Sequence, residues 1–358
     1  MKHKKIICII EHLDVGGEEN LVLTLMPALR GFNIIPYVAT FIPGSQDKAL
    51  KAKGVHLINL KSRFKIFRII ELVKIFRTIK PDIIHTRLFS AGFWGRIAGF
   101  LYKDAAIIHT HAGFTFRSKR LKRIPVERLL LPLTDALICV SESVRKHIEK
   151  TLKISKEKIC VIPNGVEIKK HIQIPYRKLR KPVKLIVAGR LENVKGQDIL
   201  LKGFSLMPDD YCMELLIAGD GSKAMELREL ATNIGIAKKV RFLGVRDDIP
   251  ALLADSDIYA APSRSEGLPV ALLEAMASGM PVIASDIEAH REVLDGAGNF
   301  FPSEDYNALA AQLKKVIDNP EESIKKAKKC RARAINNFSF QKMVNAHLNL
   351  YDRYWKSL

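Results

Sequence analysis

Short β-branched runs alternate with longer amphipathic stretches along the whole chain, and the alternation starts over once. In the first half the runs fall at 4–10 (KKIICII), 33–40 (NIIPYVAT), 55–60, 82–86, 105–109, 135–140 and 158–162. Helical stretches lie between most of them. A chain that returns through a helix after each strand builds a parallel sheet covered on both faces. The pattern restarts at 183–188 (VKLIVA) and continues at 213–218 (MELLIA), 240–243, 257–261 and 281–284. Between the halves, IKKHIQIPYRKLRKP (168–182) is polar, proline-bearing and without a usable period, which marks a linker. Residues 304–358 are helical in pattern. Pro320 starts a new segment there, and SFQKMVNAHLNLYDRYW gives a final amphipathic helix. No repeat of 20–50 residues is present. The expected fold is α/β, with two Rossmann-like, doubly wound domains facing each other.

A length of 358 residues supplies two cores of ordinary size. Disordered, collagen-like and small disulfide-stapled classes are excluded by a composition 47% hydrophobic and 27% charged. No apolar stretch approaches the ~18–20 residues that span a bilayer. The apolar run in MKHKKIICIIEH is too short for a signal peptide. Cys8, Cys139, Cys160, Cys212 and Cys330 are scattered without metal-site spacing, and read as small buried hydrophobes in a reducing, cytosolic compartment. Charge is distributed unevenly: up to residue 175 there are 31 basic and 14 acidic residues, or +17, against 27 and 24, or +3, in the remainder. A basic excess confined to one half concerns partners rather than fold, and nucleic acid or a membrane surface is the implied partner class.

Open parallel sheets bind ligands at the carboxyl ends of their strands. After the first strand, EHLDVGGEEN places Gly16-Gly17 just before a helix N-terminus, where free N–H groups favour an anion. The plain alternative is a tight turn. GDGSKA (219–224) nearly matches a dinucleotide fingerprint, but no acidic residue closes the next strand and the strand is the wrong one for such a site. Asp255-Ser256-Asp257 has the look of a metal-binding Asp-x-Asp, yet its place suits a helix end and strand entry. RLENVKG sets Arg190 and Lys195 on one loop before a helix, a pairing that suits a diphosphate. In APSRSEGLPVALLEAMASGMPVIAS (261–285), Glu266 stands before a helix and Glu274 lies eight residues on, within small and apolar neighbours. An unpaired buried carboxylate is costly, so Glu274 points to a ligand such as a ribose. Helical spacing puts the two carboxylates about 12 Å apart, too far for a hydrolase pair.

LDVGGEENLV, IIHTHAGF, CVIPNGVE, VAGRLENVKG, IAGDG, VRFLG and the Glu-x7-Glu segment with PVIAS follow one another in an order that resembles the family 4 glycosyltransferases of the GT-B fold over nearly the full chain. Glu167 after Asn164-Gly165-Val166 is the one small departure, where Asp is common. The resemblance implies an acceptor-binding domain at 1–170, a linker at 171–182 and a nucleotide-sugar-binding domain at 183–338. It also implies a C-terminal helix, 339–358, packing back on the first domain. Arg190 and Lys195 would neutralise the donor diphosphate, with Gly16 and Gly17 on its phosphate side. Glu274 would hold the ribose. Glu266, with Gly267, Leu268 and Pro269 after it, would contact the donor sugar. The family's reaction retains anomeric configuration and needs neither metal nor other cofactor, in keeping with setting Asp255 and Asp257 aside.

The family also tends to carry a histidine at a first-domain strand end near the donor sugar. His109 and His111 fit, His111 the better because it falls at the strand end before Gly113; His85 in DIIHTR reads as a core histidine. FRSKRLKRIPVER (116–128), with Arg117, Lys119, Arg120, Lys122 and Arg123, and KSRFKIFRIIELVKIFRTIK (61–80) are basic stretches suited to an anionic bilayer. For 61–80 the plain alternative is an ordinary crossover helix. The expected protein is a cytoplasmic transferase, peripheral at the inner face of the plasma membrane. It moves a hexose-type sugar from a nucleotide donor, a UDP-sugar favoured, to a lipid-linked or surface-polysaccharide precursor such as that of lipopolysaccharide. A sugar-nucleotide epimerase of the same fold and a basic nucleic-acid-binding protein are the rivals. The latter explains +17 but not Arg190, Lys195, Glu266 and Glu274.

Overall fold

Two parallel sheets are present in the computed structural model, which describes residues 3–14, 16–62, 64–113, 123–171 and 181–355. The first contains β1 (Lys4–Ile10), β2 (Ile34–Thr40), β3 (His56–Asn59), β4 (Ile83–Arg87), β5 (Ala106–His111), β6 (Ala136–Cys139) and β7 (Ile159–Val161). Their order is β3-β2-β1-β4-β5-β6-β7. The second contains β8 (Val183–Ala188), β9 (Met213–Ala218), β10 (Val240–Gly244), β11 (Ile258–Ala261), β12 (Val282–Ser285) and β13 (Asn299–Phe301), ordered β10-β9-β8-β11-β12-β13. In each sheet the chain winds outward one way from its first strand and then the other, so the switch points lie at β1/β4 and β8/β11. Ile6 through Ile10 are buried without alternation, as a strand covered on both faces must be.

The strand positions follow the sequence pattern closely, with one addition. β13 is only three residues, Asn-Phe-Phe after a glycine-containing turn, too short to show a period. Its Asn299 side chain instead donates to the Val282 carbonyl at 3.0 Å, fastening it to β12.

The chain forms two units, residues 1–164 with 343–358, and residues 165–342. Their limits differ from 170 and 339 because Val166 pairs with Ser339. The Val166 N–H donates to Phe338 O at 2.8 Å, and the Phe340 N–H to Val166 O at 2.9 Å. The approach is close enough that a Cβ on Gly165 would lie 2.7 Å from the Phe340 Cα. Most of the expected linker lies outside the described residues. Cys8, Cys139 and Cys330 are buried as expected, whereas Cys212 is exposed, in a left-handed turn (φ 46) before β9.

In the first unit, the helix Phe340–Trp355 supplies Tyr351, whose hydroxyl meets His85 Nδ1 at 2.8 Å. His85 Nε2 meets Thr110 Oγ1 at 2.7 Å, so His85 is a satisfied core histidine. Two buried guanidiniums are matched to carboxylates. Arg87 at the end of β4 reaches Glu18 at 2.8 Å, and Arg96 reaches Glu127 at 2.7 Å with both side chains fully buried. No helix of the described residues is long and apolar enough to cross a membrane.

Removing one member of a buried ion pair strands the other charge, at about 3–5 kcal/mol, whereas an apolar pair of similar volume is close to neutral. Urea unfolding should therefore show Glu127→Ala strongly destabilised. The double variant Arg96→Met, Glu127→Leu should regain most of that loss.

Candidate active site

At β8/β11 the two strands' onward connections leave on opposite faces of the sheet, and their loops meet at the carboxyl edge. Gly196 has φ 68, and a Cβ there would lie 2.1 Å from the Pro262 carbonyl oxygen. Only glycine lets the loop after β8 touch the loop after β11. Gly219, in the GDGSKA stretch, is required for a similar reason: its Cβ would lie 1.9 Å from Gly189 O. That glycine packs two loops against each other.

The contact joins two residues far apart in sequence. Lys195 Nζ donates to both Glu266 carboxylate oxygens at 2.7 and 2.9 Å, and Ser263 Oγ donates to the first at 2.7 Å. Burial alone would raise the Glu266 pKa. The charge of Lys195 and the hydrogen bonds from Lys195 and Ser263 outweigh it and hold the carboxyl below its ordinary value. Arg190 does not share in this pair. Its side chain is exposed, and Gln197 Nε2 holds its carbonyl at 3.0 Å. Gly267, Leu268 and Pro269 lead into the helix Val270–Ser278, whose first turn has no side-chain cap. Glu274, on that helix, makes no side-chain hydrogen bond among the described residues, and burial pushes its pKa up to about 7 despite the charge of Lys170.

Two further residues complete this region, and neither stood out in the sequence. Arg264 forks onto Asp198 at 2.7 and 2.8 Å and onto Glu304 at 2.6 and 3.0 Å, pinning the loop that carries Glu266. His290 lines a recess with Lys195, Tyr259, Ser263, Glu266 and Pro269. Its Nδ1 lies 2.9 Å from the Ser285 carbonyl, which can only accept, so Nδ1 carries the proton. Nε2 is left as a buried acceptor with no partner among the described residues.

Asp255 and Asp257 are occupied at the opposite edge, where β8 and β11 begin. Asp255 pairs with Lys184 Nζ at 2.6 Å, and Asp257 accepts from the Lys184 N–H at 2.9 Å.

In the first unit, the helix Gly17–Leu29 starts at Gly16 with no side-chain cap, and a Cβ on Gly17 would meet nothing within 4 Å. Gly17 is therefore not required by crowding. His109 and His111 project from one face of β5 with ring centroids 4.8 Å apart. His109 Nδ1 is 2.8 Å from Thr86 Oγ1, and His111 Nε2 is 3.8 Å from Glu127 Oε2. Burial lowers both imidazole pKa values, that of His111 to about 4. His109, His111 and Glu127 bring candidate ligand atoms within 4.8 Å of one another. A divalent cation there would face the Arg96 guanidinium that already neutralises Glu127, so this donor set suits one poorly. Arg123 stacks over Phe89 at 4.3 Å, while Arg117, Lys119, Arg120 and Lys122 lie outside the described residues.

Comparison with known proteins finds relatives along nearly the whole chain. Residues 169–337 match the Glycosyl transferases group 1 family and residues 15–170 match Glycosyltransferase Family 4. The UDP-Gal:alpha-D-GlcNAc-diphosphoundecaprenol alpha-1,3-galactosyltransferase of Escherichia coli is 30% identical over 306 residues, 79% of this chain and 78% of that protein. The lipopolysaccharide core biosynthesis glycosyltransferase LpsE of Rhizobium meliloti is 26% identical over 350 residues, 94% and 95% of the two chains. The crystal structure of Anabaena Alr3699/HepE in complex with UDP and glucose aligns with a TM-score of 0.87 at 20% identity, over 98% of this chain and 100% of that one. Both units thus belong to the GT-B fold.

Glu274 binds its proton more tightly folded than unfolded, so its contribution to stability is full below the unfolded value of about 4.5 and is lost as pH rises to about 7. Glu274→Gln should match wild type in denaturant titrations near pH 4.5. It should be more stable by up to about 3 kcal/mol above pH 7.

Proposed function

The chain belongs to the family 4 glycosyltransferases, and from that premise we propose that it moves a hexose-type sugar from a UDP-sugar to a lipid-linked or surface-polysaccharide precursor, with retention at the anomeric carbon and without a metal ion. The observation that carries the reading is the meeting of Lys195 with Glu266 at the β8/β11 switch point, with Arg190 and Glu274 on the connections that leave the same two strands. A nucleoside diphosphate needs cations and N–H donors for its phosphates and an acceptor for its ribose hydroxyls. The second unit offers all three.

As the bond between the anomeric carbon and the diphosphate breaks, negative charge gathers on the leaving group. Arg190, Lys195 and the uncapped start of the helix Val270–Ser278 are the fixed groups that offset it. Glu274 accepts from the ribose hydroxyls. Glu266, with Gly267, Leu268 and Pro269, faces the donor sugar. In the first unit, Gly16 and Gly17 offer backbone N–H groups to an anion. His111, with His109 behind it, presents a neutral imidazole to substrate.

The lipid-linked acceptor is supported by the name of the Escherichia coli relative, which specifies a diphosphoundecaprenol substrate. The lipopolysaccharide relative and the +17 charge of the first half point the same way. These support a peripheral place at the inner face of the membrane, and the basic residues Arg117, Lys119, Arg120, Lys122 and Arg123 of the sequence are the proposed contacts with acceptor or lipid.

Calorimetry with UDP should show Arg190→Ala and Lys195→Ala each weakened ten- to a hundredfold, the loss of a charge-assisted contact worth about 1.5–3 kcal/mol. Unchanged affinity in both variants would remove them from the diphosphate site. Transfer from the UDP-sugar should survive excess chelator; loss restored by Mn²⁺ would return Asp255 and Asp257 to consideration.

A further inference from the structure

The helix Phe67–Ile79 has two unlike sides. Leu72, Phe76 and Ile79 are buried, and Phe76 meets Tyr102 edge-on at 5.8 Å, as in any crossover helix. The entry to the helix faces solvent instead. Phe64, Ile66, Phe67 and Ile70 are 69%, 60%, 51% and 53% exposed. Phe64 and Phe67 stack edge to face at 6.1 Å, so they form one patch. A lone exposed apolar residue is ordinary, but a cluster of large ones in one turn marks an interaction site.

The turn is held firmly. The Glu71 carboxylate accepts from the backbone N–H groups of Lys61 and Ser62 at 2.8 and 3.0 Å, and from the Ser62 hydroxyl. Those bonds keep its carboxyl below the ordinary range against burial, and Glu71 is the only acid in 61–80. Beneath the turn, the buried Arg68 guanidinium lies over the Phe41 ring at 4.5 Å. Residues 67, 70, 74 and 77 fall along one stripe of the helix. That stripe reads Phe, Ile, Lys, Arg, and Lys74 and Arg77 are exposed, as are Lys61, Lys65 and Lys80.

We propose that this apolar tip and basic shaft form a docking surface for an anionic lipid bilayer. Phe64, Ile66, Phe67 and Ile70 enter the headgroup region, and Lys61, Lys65, Lys74 and Arg77 lie against lipid phosphates. A bilayer interface supplies an apolar layer and anions within ~5–10 Å of each other, as this surface requires. A second copy of the chain would bring the same +20 charge to the contact. The proposal deepens the lipid-linked reading of the acceptor, but it rests on residues of the first unit that take no part in donor binding.

Cosedimentation with phosphatidylglycerol/phosphatidylcholine vesicles and with phosphatidylcholine vesicles, at low and high salt, tests it. The full chain should bind the anionic vesicles. Phe64→Ser, Ile66→Ser, Phe67→Ser and Ile70→Ser combined should weaken that binding at least tenfold at either salt. Lys65→Gln, Lys74→Gln and Arg77→Gln combined should weaken it mainly at low salt, where the attraction is least screened. UDP binding should be unchanged in both variants, and their circular dichroism and urea unfolding should match wild type, which reports that the substituted unit folds. Indifference of the wild type to lipid charge, or wild-type vesicle binding by the apolar variant, would overturn the proposal. So would a wild-type dimer in ultracentrifugation that the apolar variant dissolves. Failure of the wild type to bind UDP would instead count against the transferase reading and leave the vesicle result to stand alone.

Discussion

A parallel sheet forces every connection to cross back over the sheet before the next strand begins. All carboxyl ends therefore lie on one edge, and the loops there are freed from ladder hydrogen bonding. Where strand order reverses, adjacent connections diverge, and the chain can hold side chains that neither strand could hold alone. In the second unit this brings the stretch 189–196 against 262–269, and the contact is tight enough to require Gly196. The bond between Lys195 and Glu266 is a consequence of that approach, as is the anchoring of the second loop by Arg264. The chemistry of the region thus depends on backbone geometry that glycine alone permits.

The two carboxylates of the helix-flanking motif are pushed in opposite directions by their surroundings. Glu266 is ionised because a lysine and a hydroxyl supply what burial removed. Glu274 has no such partners, and its protonated form persists to about pH 7. One is a spent charge and the other an unmet need. On the proposed donor reading, a diphosphate would compete with Glu266 for Lys195, whereas a ribose hydroxyl would add to Glu274 what the protein withholds. A donor carrying both groups would then be matched twice, once by exchange and once by completion.

The alternation of strands and helices was legible because each run is bounded by turn residues, and even the crossover helices kept their period. Three features were not. β13 is too short to carry a pattern, and it is set by the Asn299 amide and by neighbouring strand β12. The unit boundary at 164/165 depends on Val166 meeting Ser339, a pairing across most of the second unit. Arg264 and His290 owe their roles to partners such as Asp198 and Ser285, and to the loop geometry that brings Glu266 beside them. Glu274 could be singled out from sequence because a carboxylate among small apolar residues is anomalous locally. Arg190 and Lys195 look equivalent in RLENVKG; only folding shows that one is paired and the other exposed.

The segment 61–80 shows why interleaved charge and apolar residues resist a single interpretation. A helix has room for two stripes, and here both are used: Leu72, Phe76 and Ile79 satisfy the core, while Phe67, Ile70, Lys74 and Arg77 occupy the other side. The basic excess of the first half is not consumed by the fold. The buried guanidiniums Arg87 and Arg96 each have a carboxylate, whereas the buried Arg68 guanidinium lies over the Phe41 ring. Among the described residues, Lys61, Lys65, Lys74, Arg77 and Lys80 are exposed, and like charges gathered at a surface repel one another unless something outside the chain offsets them. On the proposed docking surface, an anionic bilayer would supply that offset, and the exposed apolar turn is what would suit it to a membrane over a polyanion alone.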